Sequence, residues 1–239
     1  MSAPDEAGTN WRVGYDVDPI LVRDPVAEAL GVLGPGEPFA VSYADVVQAA
    51  GHSCPTAAGA FRVAQVGLDA LYPDARPVRG DVRVTVGGPA DAAPYGVMGS
   101  LLSYVTGAAG DDGFAGLPGG VGDRRDRLAF ESTPGDEPVF VFERTDTGEA
   151  VTVTYHLDRL ASPGPVARRA GAVARAVGAP HPKEIVGKLL VGAATAAESG
   201  GFGGRLARPV RDRLLEAWHD RVRVVLTDDD LFSVAAASG

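Results

Sequence analysis

The sequence predicts an α+β fold: an antiparallel or mixed sheet packed with helices, followed by a helical C-terminal portion. Three observations point there. Helix-period and strand-period patterns are interleaved over residues 38–160. Only helical patterns follow Pro163-Gly164. That order, mixed elements and then a run of helices, fits α+β better than alternating βαβ units. The 239 residues, 45% of them hydrophobic, suffice for one large domain or two small ones. The division expected is an irregular lead-in over 1–37, an α+β domain over 38–160 and a helical extension over 161–239.

The lead-in closes on Gly34-Pro35-Gly36-Glu37-Pro38. Ser42 then caps a helix over Tyr43–Ala50, with Val46 and Val47 facing inward. Pro55 suits a helix start, and Pro55–Leu71 carries Phe61, Ala64, Leu68 and Leu71 on one stripe. Val82–Val86 alternates as a half-buried strand. Asp91 is expected to cap a helix through Tyr104, lined by Val97, Leu101 and Val105. Gly107–Gly122 is a glycine-rich loop. Strands are expected over Arg127–Glu131, Pro138–Arg144 and Glu149–His156, the last two joined by the turn Thr145-Asp146-Thr147-Gly148. The predicted helices of the extension are Val166–Val177, Pro182–Glu198 and Pro209–Val224. Gly200–Gly204 separates the last two and reads as a hinge.

Composition excludes several function classes. A formal charge of −9 opposes nucleic-acid binding, which rests on Lys and Arg against phosphates. The single cysteine excludes an internal disulfide and any four-cysteine metal site in one chain. Residues 1–14 are acidic and lack the apolar run of a secretory signal. The uncharged stretch Ala92–Gly110 contains Pro94 and several glycines, so it reads as a buried helix and its exit loop, not a membrane span. A cytoplasmic location is expected, where the thiol stays reduced. No Walker, dinucleotide or Gly-x-Ser-x-Gly motif occurs.

Gly51-His52-Ser53-Cys54-Pro55 is the segment richest in chemistry. It sets an imidazole and the only thiol two residues apart, immediately before a helix. Unpaired N–H groups and the helix dipole at such a position favour a thiolate, the metal-binding and nucleophilic form. Imidazole and thiolate suit zinc, iron or copper better than magnesium or calcium. The same residues also read as a small buried cysteine and a turn histidine.

The run Ala49–Pro55, with Gly59 and Arg62 further along the helix, resembles the His-x-Cys-Pro signature of the FmdE-like family of formylmethanofuran dehydrogenase components. Tyr104-Val105-Thr106-Gly107 resembles that family's helix ending in Thr-Gly. Asp126–Phe130 and Arg144–Val151 follow its strand and hairpin order. The resemblance covers residues 42–156 and implies an α+β domain holding a transition metal, usually zinc, with His52 and Cys54 as ligands. The chain departs from the family pattern at Ala108, where members commonly carry a cysteine. The loop lysine and asparagine are absent from Ala109–Val121, and no C-terminal cysteine-rich ribbon follows.

Two ligands need completing. His156 shares strand parity with Thr152 and Thr154, the polar face, and is the candidate third ligand or a general base. Asp111 and Asp112 are possible oxygen donors; a solvated turn is the plainer reading. His181 reads as a loop residue, His219 as a packed or surface histidine of the last helix, and Asp228-Asp229-Asp230 as a solvated charge run. The expectation is an open transition-metal site, zinc first, with iron, copper or haem as alternatives, in a metal-dependent enzyme acting on a small molecule. His156 and Arg62 are the candidate catalytic residues, Arg62 by reaching an anionic group. The loop 107–122, with Asp123, Arg124 and Arg125 behind it, is a candidate lid. The competing expectations are a metal, haem or metallocofactor carrier without turnover, and a non-catalytic interaction protein. In the latter, Ile185, Leu189, Leu190, Leu214, Leu215, Trp218 and Val222 would bury a homodimer seam.

Overall fold

The computed structural model describes residues 14–133, 135, 137–160 and 201–237. The chain divides into two units, Met1–Asp158 with Val225–Gly239, and Arg159–Val224.

In the first unit, β1 (Ile20–Val22) pairs antiparallel with β2 (Phe39–Val41), and α1 (Pro25–Ala29) lies between them in the chain. The stretch expected to be irregular therefore carries a strand and a short helix. Both are too brief for periodicity to register, and α1 forms because Asp24 caps it, accepting from the N–H groups of Val26 at 3.0 Å and Ala27 at 3.1 Å. α2 (Tyr43–Ala50) starts with a reciprocal capping box between Ser42 and Asp45 and ends at Gly51, whose φ of 73° favours glycine. α3 (Pro55–Leu71) starts at Cys54 and Pro55 as predicted, and Phe61, Ala64, Leu68 and Leu71 are all buried.

β3 (Val82–Val86) agrees with its predicted bounds. α4 (Tyr95–Thr106) begins four residues beyond Asp91, with Pro94 at its N-cap. Its buried face carries Met98, Leu101, Leu102 and Val105, and Val97 is 46% exposed, not inward-facing. β4 (Leu128–Phe130), β5 (Val139–Arg144) and β6 (Ala150–Tyr155) lie within the predicted strands. β7 (Phe232–Ala236), preceded by a 3₁₀ turn at Asp229–Leu231, falls where the sequence predicts no strand.

The five-stranded sheet has the order β4-β3-β5-β6-β7, with β3 and β4 parallel and the other neighbours antiparallel. One face, carrying Phe140, Phe142, Val153 and Tyr155, is buried beneath α3. Gly59 and Gly67 permit the close approach. A Cβ at Gly59 would lie 2.5 Å from Cε1 of Tyr155, and one at Gly67 would lie 2.8 Å from two ring carbons of Phe142. Asp24, 4% exposed, also ties separate segments together, pairing with Arg79 at 3.0 Å and Arg124 at 3.1 Å.

In the second unit the described chain includes most of α5 (Gly201–Thr227). Gly201–Gly204 form the first turn of this helix instead of a break before it, Gly200 lies outside the described residues, and the predicted helix Pro209–Val224 is part of it. Along α5, Leu215 is 37% exposed while Val222 is buried. The predicted helices Val166–Val177 and Pro182–Glu198, with His181, Ile185, Leu189 and Leu190, lie outside the described residues. No helix among the described residues is long and apolar enough to cross a membrane.

Candidate metal centre

Strand register builds a polar cluster on the sheet face opposite the core. Thr154 is paired with Val139 of β5 and with Ser233 of β7. Side chains two residues apart share a face. Glu137, two before Val139, and His156, two after Thr154, therefore point to the same side as Ser233. Their contacts agree: His156 Nδ1 lies 2.7 Å from Oε1 of Glu137, and Nε2 lies 2.8 Å from Oγ of Ser233. The backbone N–H of His156 donates to the Leu231 carbonyl at 2.8 Å, which fixes the strand end beneath the ring. Asp158, two residues on, brings a second carboxylate, and one donor atom from each of Glu137, His156 and Asp158 lies within 4.8 Å of the others. His156 is 8% exposed, so the strand-end histidine is a buried group with both ring nitrogens engaged. Glu137 is half-exposed and Asp158 exposed, so solvent reaches the cluster from their side.

The His-x-Cys-Pro segment is built differently. Cys54 is the N-cap of α3, and its Sγ accepts the N–H of Ala57 at 3.3 Å. The residue is 6% exposed. Ser53 bonds the Tyr43 hydroxyl at 3.0 Å, and burial pushes the Tyr43 phenol well above its ordinary range, so it stays a neutral hydroxyl there. His52 is exposed, and its Nδ1 donates to the Ala50 carbonyl at 3.0 Å. Among the described residues, the one group of three His, Cys, Asp or Glu donors this close is Glu137–His156–Asp158. The structure thus does not gather His156 with His52 and Cys54.

Other candidates have structural partners. Arg62 is held by Gln65 and Asp229, with its guanidinium 5.9 Å from the centroid of the Phe232 ring. Its guanidinium is thus already paired with a carboxylate of this chain. Asp229 is correspondingly a partner in an ion pair, and Asp228 caps the 3₁₀ turn, so this acidic run has more structure than a solvated tail. Asp111 and Asp112 are exposed and outside the donor group. Behind the glycine-rich loop, Arg124 is anchored to Asp24 and Arg125 to Asp123 at 2.8 Å. His219 sits on α5 in the second unit.

Glu137, Asp158 and Ser233 are not among the residues the sequence singles out. The Thr152–Thr154–His156 parity identifies the face, but Ser233 is found only once β7 is known to pair with β6. The chain matches no known family model and no curated protein sequence.

One imidazole with two carboxylates fits a borderline divalent ion such as zinc. Donors around zinc at about 2.0–2.2 Å lie roughly 3.3 Å apart, so the Glu137–His156 contact has to open by only about half an ångström.

Proposed function

We propose that the chain is a metal-dependent enzyme acting on a small molecule, with an open transition-metal centre made by Glu137, His156 and Asp158. The convergence of two carboxylates on one buried imidazole carries this reading. Three protein donors leave a coordination position open, the hallmark of catalytic and not structural zinc. Zinc is the first choice and iron the second, since the donors include no thiolate. Held there, zinc would supply Lewis-acid chemistry toward a carbonyl or water. Around it, this chain's own residues orient the imidazole and bury one side of it. A cytoplasmic setting belongs to the same proposal.

A second reading keeps the metal at His52 and Cys54, as the FmdE-like resemblance implies. It is favoured by the thiol at the first turn of a 17-residue helix and by the exposure of His52, whose contact to Ala50 uses Nδ1 alone. Metal content of the native chain and its variants decides between them. The first reading expects about one zinc or iron per chain, lost in His156→Ala and in Glu137→Gln/Asp158→Asn, and retained in Cys54→Ser and His52→Ala. The opposite pattern supports the second reading and overturns the first. A folded chain that takes up no metal overturns both.

A further inference from the structure

We infer that Ser233 is a positioning residue for this centre: its hydroxyl oxygen accepts the Nε2–H of His156 and so turns Nδ1 toward the metal. The inference rests on the metal reading above and adds the ring nitrogen used, the tautomer and the strand that sets both.

The two ring nitrogens face different chemistry. Nδ1–H donates to the carboxylate of Glu137 at 2.7 Å, and an ion held by Glu137 would take the place of that proton, while Nε2 faces a neutral hydroxyl at 2.8 Å. A metal-bound imidazole normally donates its other N–H to a fixed acceptor, which holds the ring plane and strengthens the ligand. With an ion in place of the Nδ1 proton, the ring's remaining N–H is on Nε2, and the Ser233 hydroxyl is the acceptor within its reach. Burial shows which partner depends on the contact. Ser233 is exposed and can exchange its hydrogen bond with water, whereas His156 is 8% exposed and has little other recourse.

Ser233 is itself placed firmly. Five residue pairs fix the β6–β7 register, from Val151↔Ala236 to Tyr155↔Phe232. On the opposite face Tyr155 and Phe232 stack with centroids 4.9 Å apart, so a one-residue slip would break that stack and turn Ser233 away from His156. The centre is thereby completed by a strand about eighty residues beyond His156 in the chain.

Cobalt(II) titration of the full chain tests this, followed by visible absorption, with His156→Ala as the blank. Native protein should bind one cobalt in a His156-dependent way. Ser233→Ala should bind roughly 10- to 100-fold more weakly with an altered d–d band, and Ser233→Thr, which restores the hydroxyl, should recover both. Affinity and spectrum in Ser233→Ala equal to native would overturn the role of Ser233 and leave the metal reading standing. Absence of His156-dependent cobalt in the native chain removes the metal reading and this inference with it. If Ser233→Ala does not fold, ¹⁵N chemical shifts of His156 in the zinc-loaded native protein decide instead. Metal on Nδ1 with a protonated Nε2 is expected; metal on Nε2 overturns the inference.

Discussion

Replacing Gly59 with alanine sets two effects of opposite sign against each other. On helix propensity the substitution stabilises α3 by about 1 kcal/mol. In the fold, the added Cβ meets the Tyr155 ring, 2.5 Å from Cε1 and 3.1 Å from Cζ. Tyr155 is 1% exposed and stacked on Phe232, so the ring has little freedom to retreat. Overpacking of a filled core costs about 1–3 kcal/mol, and this contact belongs near the top of that range. Packing wins, for a net loss of about 1–2 kcal/mol. Amide hydrogen exchange of α3 is the suitable assay, because it reads the first unit separately from the second. In a Tyr155→Leu background the ring is gone and the propensity gain should emerge, making Gly59→Ala neutral or stabilising. The cycle should show coupling of about 1–3 kcal/mol. Gly59→Ala at native stability or above in the unaltered chain would refute the close-approach argument.

Three further outcomes are expected. Asp24→Asn should cost about 2–3 kcal/mol in urea unfolding, below the range for breaking a fully buried pair, because Arg79 and Arg124 keep some exposure. Burial pushes the Asp24 carboxyl up, but the Ala27 N–H, Arg79 and Arg124 outweigh it and hold it below the ordinary carboxylate range. Its contribution is therefore present above about pH 4 and lost as pH falls through the lowered value, and Asp24→Asn should flatten that acid limb of the stability curve. Cys54→Ser should change thermal stability by less than about 1 kcal/mol, since serine is the stronger cap and little volume is lost; a loss above about 3 kcal/mol would assign the thiol a larger structural role. On α4, Leu102→Ala should cost about 2–5 kcal/mol in chemical unfolding, whereas exposed Val97→Ala should stay within about 0.5 kcal/mol.

The parts of the fold legible in the sequence are those in which one local rule dominates. The capped helix Tyr43–Ala50, the Cys54-Pro55 start of α3, the alternation of Val82–Val86 and the Thr145–Gly148 turn each follow from a few neighbouring residues. The N-terminus of α4 departs from its expected position because Asp91 is a good cap by type, while the residues as far as Pro94 remain outside the helix. β1, β2 and β7 escape a local reading because strands of three to five residues acquire their identity from the partner strand, which is remote in sequence. The centre is half legible for the same reason. Parity puts His156 on the polar face, but the hydrogen-bond partners of its ring come from the approach to β5 and from β7. His52 and Cys54 are close in sequence, yet one points to solvent and the other into the first turn of α3.

The residues that follow Cys54-Pro55 acquire a physical explanation in these contacts. Gly59 admits the Tyr155 ring, and Arg62, a turn later, grips Asp229 at the entry to β7 while lying over Phe232. Both contacts act on the β6–β7 pair from the helix side, and the same pair presents His156 and Ser233 from its other face. The spacing Cys-Pro, Gly, Arg thus works as a docking pattern that seats α3 on the sheet: a small residue where the ring must pass, then a long cation where the last strand begins. Substrate contact is not needed to account for either residue. It also follows that a change at Gly59 or Arg62 can alter the His156 centre without touching it, by shifting β7 and with it the Ser233 hydroxyl. Effects at the two ends of the first unit should then be non-additive when a variant in α3 is combined with Ser233→Ala, and additive if α3 and β7 are mechanically independent.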